Sequence, residues 1–162
     1  MVTRIVVADQ GEARFYDQAR PGALLRAAGS LENPGAHLHN RDFQSDRQGR
    51  VFDRAPAAGQ RRGTVARHAT GSERSPRKRD AQLFAKRIAR ELSAAFRARR
   101  FDELVLVAGP AFLGLLRAAL SKATRSAVIG EVAKDLVHQP KTALQSHLPE
   151  QWPKRRARRS SS

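Results

Sequence analysis

Arginine is the residue type whose number and spacing most clearly predict chemistry in this sequence. Residues 60–100 carry thirteen basic and three acidic side chains, a net charge of +10 out of +16 for the whole chain of 162 residues. Most of these cations are arginine, whose guanidinium is a planar fork of donors that matches a phosphate with two hydrogen bonds. Charge clustered in this way predicts binding to a polyanion rather than a merely solvated surface. The predicted contact residues are Arg61, Arg62, Arg67, Arg74, Arg77, Lys78, Arg79, Lys86, Arg87 and Arg90.

The last twelve residues form a second cationic segment, QWPKRRARRSSS. Its basic residues are Lys154, Arg155, Arg156, Arg158 and Arg159, and it has no acidic ones. This segment is predicted to be a disordered tail that binds RNA or an acidic lipid surface. Electrostatics alone does not distinguish between these two partners. The rest of the chain is nearly neutral. The charge distribution therefore predicts a neutral domain with two cationic binding segments.

Structured RNA is the polyanion that the composition of the segment 60–100 favours. Few aromatic residues interleave with its cations, so base stacking is not the expected mode of binding. Structured RNA recognised through its shape and phosphates fits better than a single strand. The composition therefore predicts an RNA-binding protein.

Three aspartates are candidates for a metal site. Asp9 and Asp135 each follow a predicted strand, and Asp46 lies in the segment SDRQGR with Gly49 and Arg50. Converging carboxylates are what a two-metal nuclease requires. A glycine-containing turn in which the aspartate bonds its own backbone explains Asp46 equally well, and we favour that interpretation.

Other catalytic and ligand signatures are weak in this sequence. There is no cysteine, and the histidines lack the spacing of zinc ligands, so we predict no metal and no cofactor. No serine lies in a Gly-x-Ser-x-Gly elbow. The segment Gly109-Pro110-Ala111-Phe112 has the pattern of a helix start that can hold an anion, although a structural cap is the preferred interpretation.

The elements expected to position these residues alternate between strands and helices. The first half predicts strands at 3–9 and 13–17 joined as a hairpin, a third strand at 22–29, and a long loop over about 37–79. Pro76 is predicted to open a helix that continues over 80–100. The apolar residues at near-helical spacing are Leu83, Phe84, Ile88, Leu92, Ala95 and Phe96.

The second half continues the same alternation. A strand buried on both faces is predicted at 104–108, a helix beginning at Gly109-Pro110, a strand at 127–132 and a short helix at 142–148. This order predicts an α/β fold: a single domain over 1–150 with a mixed β-sheet flanked by helices. Residues 151–162 are the predicted tail. The opening residues do not have the pattern of a secretory signal and no apolar run is long enough to span a bilayer, so a cytoplasmic location is expected.

Four segments resemble the bacterial host attachment family, in order over about residues 2–149. They are VVADQGEARFYD, ENPGAHLHNRDFQSDRQGRVFD, LVLVAGPAFLGLLRAAL and EVAKDLVHQPKTALQSHL. The motif positions within them are Asp9, Asp46, Gly49, Arg50 and Asp135.

The resemblance implies a fold like the middle domain of archaeal and eukaryotic peptide-chain release factors, to which this family is related. In those factors a Gly-Gly-Gln loop before a long helix enters the peptidyl-transferase centre. Here Gly59 and Gln60 occupy a similar place, but Ala58 stands where the first glycine should be. Gln60 is the one catalytic candidate that the resemblance implies. Together with the clustered charge, the resemblance predicts an RNA-binding factor associated with the ribosome or with tRNA, which holds rRNA or tRNA phosphates. Two alternatives to RNA binding stay open: a non-catalytic role in host or surface attachment, and hydrolysis of peptidyl-tRNA or RNA.

Overall fold

The computed structural model describes residues 1–36 and 75–152. The strands are β1 (Thr3–Ala8), β2 (Glu12–Gln18), β3 (Arg26–Glu32), β4 (Glu103–Ala108) and β5 (Val128–Val132). The helices are α1 (Pro76–Arg97), α2 (Pro110–Ala119), α3 (Lys122–Ser126) and α4 (Lys141–His147). The strands form one mixed sheet in the order β3-β2-β1-β4-β5.

The two central strands, β1 and β4, run parallel and are the most buried. All six residues of β1 and the last five of β4 are buried, as expected for apolar runs covered on both faces. β2 and β3 pair antiparallel on one side, and β5 pairs parallel to β4 on the other. The chain leads from β1 to β2 on one side and from β4 to β5 on the other, so it leaves the two central strands toward opposite edges of the sheet.

Helices α1 and α2 cover one face of the sheet. Phe84 and Ile88 of α1 and Phe112 of α2 join Val6 and Leu106 of the sheet in one hydrophobic cluster. The rings of Phe84 and Phe112 lie 6.1 Å apart, which is the range of a favourable aromatic pair. α1 also buries the small residues Ala81, Ala85, Ala89 and Ala95 against this layer.

The other face is covered by the segment from Leu136 through α4. Leu136, Val137 and Leu144 pack against Ile5 and Val105 of the central strands. Because both faces are covered, the described residues form an α/β fold with a five-stranded mixed sheet flanked by helices, as predicted.

Three details of the sequence-based prediction are wrong. β3 begins four residues later and ends three residues later than the predicted 22–29, because Gly22 has a φ of +78° and belongs to the turn before it. Leu83 is 56% exposed, since small alanines rather than Leu83 face the core. α1 ends at Arg97, and Arg99 has a φ of +55°, a left-handed conformation that cannot continue the helix.

The short helix α3 was not predicted. Ser121 caps it by accepting a hydrogen bond from the Thr124 backbone N–H at 3.2 Å. A five-residue helix has too few residues to show periodicity in the sequence. In the described part of the chain, no helix combines the length and apolar character that crossing a membrane requires.

Candidate polyanion-binding surface and neighbouring crevice

The outer face of α1 carries a line of four cations. Arg79, Lys86, Arg90 and Arg97 are spaced by seven, four and seven residues and are all exposed. At 3.6 residues per turn these positions fall within about 40° of one another around the helix and span about 27 Å along it. We call these four residues the cationic stripe.

The stripe lies opposite the residues that α1 buries, because the helix packs on its apolar side. Leu83 falls on the same outer face as the stripe, which is why it is exposed. Within residues 1–36 and 75–152, none of the four stripe cations forms an ion pair. The described part of the protein therefore does not neutralise their charge, and it leaves these four side chains exposed to a ligand.

The start of α1 is held by a capping residue. Ser75 accepts a hydrogen bond from the Lys78 backbone N–H at 3.2 Å, and Pro76 occupies the first turn. The first turn contains no acidic side chain, so the positive end of the helix dipole is not offset there. At the start of α1, the positive end of the helix dipole therefore adds to the positive potential of Arg79.

A shallow groove runs between α1 and α2 beside the stripe. Its volume is about 380 Å³, and Lys86 and Arg90 line it together with Ala89, Ala118 and Ala119. Small side chains leave room there for part of a ligand to approach the two cations. The groove widens the accessible surface of the stripe at its middle.

The other predicted contacts on α1 lie away from the stripe. Arg87 donates a hydrogen bond to the Glu32 carbonyl oxygen at 2.9 Å, so it ties α1 to the end of β3. Arg77 and Lys78 line a separate crevice at the start of the helix. Arg97 joins the stripe although it was not among the predicted contacts, and its spacing of seven residues from Arg90 is the signal that identifies it.

The crevice lies where the carboxyl ends of β1 and β4 meet the first turns of α1 and α2. Open α/β sheets hold their ligands at such a point, where neighbouring strands lead away to opposite sides. Its volume is about 730 Å³. Its lining residues are Asp9, Gln10, Ser75, Arg77, Lys78, Ala81, Gly109, Pro110, Ala111, Phe112, Gly114, Leu115 and Asp135.

Asp9 has a structural role in this crevice. Its Oδ1 accepts hydrogen bonds from the Gly11 and Glu12 backbone N–H groups, both at 2.8 Å, and closes the turn between β1 and β2. His138 Nε2 lies 3.3 Å from Asp9 Oδ2. Asp9 and Asp135 line the same crevice, while Asp46 lies outside the described residues. No group of three metal-ligating side chains occurs in the part of the chain that the structure describes.

Asn33 is a polar residue that sequence reasoning missed. It is buried, and its Nδ2 donates to the Gln10 carbonyl at 2.8 Å and to Asp80 Oδ2 at 3.0 Å. Asn33 thereby joins the turn after β1 to the first turns of α1. Asn33 precedes Pro34 and Gly35, a pattern typical of a turn, so nothing in the local sequence showed this link.

Several predicted site residues lie outside the described residues. They are Asp46, Gly49, Arg50, Gln60, Arg61, Arg62, Arg67, Arg74, Lys154, Arg155, Arg156, Arg158 and Arg159. Trp152, the second residue of the cationic tail segment, packs against Gly130 of β5. A Cβ at Gly130 would overlap the Trp152 ring, so the absence of a side chain there makes the contact possible.

Comparison with protein families matches residues 4–148 to a family described as "Protein required for attachment to host cells". The chain belongs to this family. The match extends from β1 through α4, so it includes both α1 and the crevice. The family description concerns attachment and names no ligand, reaction or nucleic acid.

The remaining comparisons add little about function. Among curated proteins, none matches the chain. A solved structure described as an archaeal protein is similar over 90% of this chain at 10% identity, with a TM-score of 0.41. The chain spans 35% of the length of that protein. At this TM-score the likeness carries no argument.

Proposed function

We propose that this protein is a non-catalytic binding protein that serves attachment to host cells by holding an anionic polymer along the cationic stripe of α1. The observation that carries the proposal is the line of four exposed cations without ion-pair partners within the described residues. Membership of the family supports the attachment role. Host surfaces present anionic polysaccharides, whose repeated sulfate or carboxylate groups are the chemical class that such a stripe would bind.

The geometry of the stripe favours an extended ligand over a small one. The four cations extend over about 27 Å of helix, which is longer than any single small anion. Guanidinium groups bind oxyanions with two parallel hydrogen bonds, so each arginine of the stripe is suited to one anionic group of the polymer. Binding by this mechanism weakens as salt rises, because association releases the counterions of the polymer.

Binding to a fluorescently labelled heparin oligosaccharide, measured over a series of salt concentrations, tests this function. The variant Lys86→Gln/Arg90→Gln/Arg97→Gln removes three stripe charges. We expect it to bind more weakly and to lower the slope of log affinity against log salt by about 2 to 3. This variant and the control variant described next should keep the far-ultraviolet circular dichroism of the original protein.

The matched control removes three exposed cations that lie off α1: Arg20→Gln/Lys134→Gln/Lys141→Gln. This control has the same net charge as the stripe variant. Equal loss of affinity in the two variants would show that overall charge, and not the stripe, drives binding. In that case the proposed surface would be wrong.

RNA is the second candidate ligand, because phosphates present the same oxyanion chemistry and three of the four stripe residues are arginine. Competition distinguishes the two polymers: unlabelled double-stranded RNA and heparin are compared at equal concentrations of charge. Stronger displacement of the labelled heparin by RNA would favour the RNA-binding hypothesis. Co-sedimentation with ribosomes that is lost on charge reversal at Arg79 and Arg90 would support it further.

The location of the protein is a further discriminating measurement. Direct contact with a host surface requires the protein outside the cell, whereas RNA binding requires the cytoplasm. Cell fractionation, with detection by an antibody to the protein, distinguishes these two locations. The link to release factors, and hydrolysis through Gln60, remain predictions that depend on residues outside the described part.

A further inference from the structure

Strand β3 is an edge of the sheet formed by residues 1–36 and 75–152. Among these residues it pairs with β2 alone, and six of its own seven residues are exposed, with Leu31 half-buried. Its central residues, 27–30, are Ala-Ala-Gly-Ser, with no charge, proline or bulky side chain among them. Natural proteins normally protect edges with such residues, because unpaired backbone N–H and C=O groups invite another strand.

The opposite edge of the sheet is covered. Most residues of β5 are half-buried, and the Trp152 ring lies against Gly130 in the middle of the strand. Arg117 of α2 also pairs with Glu131, its Nε lying 3.1 Å from Oε1. The two edges thus differ, and the exposed small residues are on β3.

The charges of β3 are complementary to those of a second copy in antiparallel orientation. Arg26 begins the strand and Glu32 ends it, and both side chains are exposed. Antiparallel pairing brings Arg26 of one copy near Glu32 of the partner subunit at both ends of the contact. Small side chains at 27–30 allow the two backbones to approach.

We propose that two copies of this protein associate through antiparallel pairing of their β3 strands into a two-fold dimer with a continuous ten-stranded sheet. Ala28 has no partner on β2, because Phe15 pairs with Gly29 and Tyr16 with Ala27. This bulge bends the edge and shortens the paired stretch. The dimer is therefore expected to form in a concentration-dependent way.

The symmetry of this dimer has a consequence for binding. A two-fold axis that pairs identical strands antiparallel in one sheet is perpendicular to that sheet, so both α1 helices lie on the same face. Two cationic stripes would then face the same direction. This consequence rests on the proposed function, and it predicts that the dimer binds a long anionic polymer more tightly than the monomer does.

Sedimentation velocity over a concentration series tests the dimer without any ligand. We expect the mass to rise from 17.9 kDa toward twice that value. Glu32→Arg places positive charge at both ends of β3 and should shift the equilibrium to the monomer. The double variant Arg26→Glu/Glu32→Arg exchanges the two charges and should restore the dimer.

The matched control is Glu150→Arg, which makes the same charge change at an exposed position outside β3 and should leave the dimer intact. A thermal melt of each variant checks that it is folded. A monomer at every concentration would overturn the proposal. So would a dimer that Glu32→Arg leaves unchanged, or a folded charge-exchange variant that does not regain the dimer. Since these readouts contain no polymer, their failure is distinct from failure of the proposed function.

Discussion

The cations of the sheet and the cations of α1 differ in what neutralises them. Arg4 of β1 forms two hydrogen bonds with Asp17, at 2.8 and 2.9 Å, and lies 5.1 Å from the centre of the Phe101 ring. Arg14 pairs with Glu12, and this hydrogen bond raises the pKa of Arg14 above its ordinary value. The stripe on α1 has no such partners within the described residues. Paired cations stabilise the sheet, whereas the stripe leaves its charge exposed to a ligand.

Removing Arg4 should have the largest effect on stability. Its side chain is 7% exposed, so Arg4→Ala leaves Asp17 without its partner in a partly buried site. We expect a loss of about 3 kcal/mol in the free energy of unfolding, measured by urea denaturation. The double variant Arg4→Met/Asp17→Leu should recover most of it, because no charge is then left unpaired. A loss below about 1 kcal/mol for Arg4→Ala would show that this pair is not structural.

Gly130→Ala tests the contact between β5 and Trp152. The new Cβ would overlap the indole ring, so the ring must move out of its place. We expect a loss of about 1–3 kcal/mol. Trp152 is the only tryptophan in the chain, so its fluorescence should shift to longer wavelength as it becomes solvated. Gly114→Ala is the control, because a Cβ there meets no atom within 4 Å, and unchanged fluorescence in Gly130→Ala would contradict the contact.

Ser75→Ala tests what positions the stripe. The substitution removes the side-chain acceptor at the start of α1, and we expect a loss of about 1 kcal/mol. Ser75→Asp restores an acceptor and should recover the stability. If the alanine variant unfolds at the same urea concentration as the original protein, the cap does not hold the helix.

The smallest effect on stability is expected for the stripe itself. The variant Lys86→Gln/Arg90→Gln/Arg97→Gln removes like charges that repel one another along the helix, so its stability should change by less than about 0.5 kcal/mol. Arg4→Ala is the contrasting variant. If the stripe variant lost as much stability as Arg4→Ala, the distinction between structural cations of the sheet and exposed cations of the stripe would be wrong.

Most of the fold was predictable from local patterns. The continuous apolar runs of β1 and β4 predicted buried strands, and Pro76 and Pro110 marked the first turns of α1 and α2. β3 was misplaced because its alanines and glycine have no strong preference for a strand, and only pairing with β2 selects residues 26–32.

The candidate site was only partly predictable. Charge counting identified α1 as cationic, because net charge depends on composition alone. It did not separate Arg87, which bonds the Glu32 carbonyl, from Arg90, which lies on the stripe. That separation depends on which side of the helix packs on the sheet.

The sequence by itself determined that this chain forms an α/β domain and that its charge is concentrated near α1 and in the last residues. Periodicity and composition suffice for these features, because they arise from interactions between residues close in the chain. Tertiary structure decided which cations are paired and that Asp9 and Asp135 line one crevice. It also decided that β3, among the described residues, is an edge strand paired with β2 alone. These features depend on strands and helices far apart in sequence coming together, which no local pattern records.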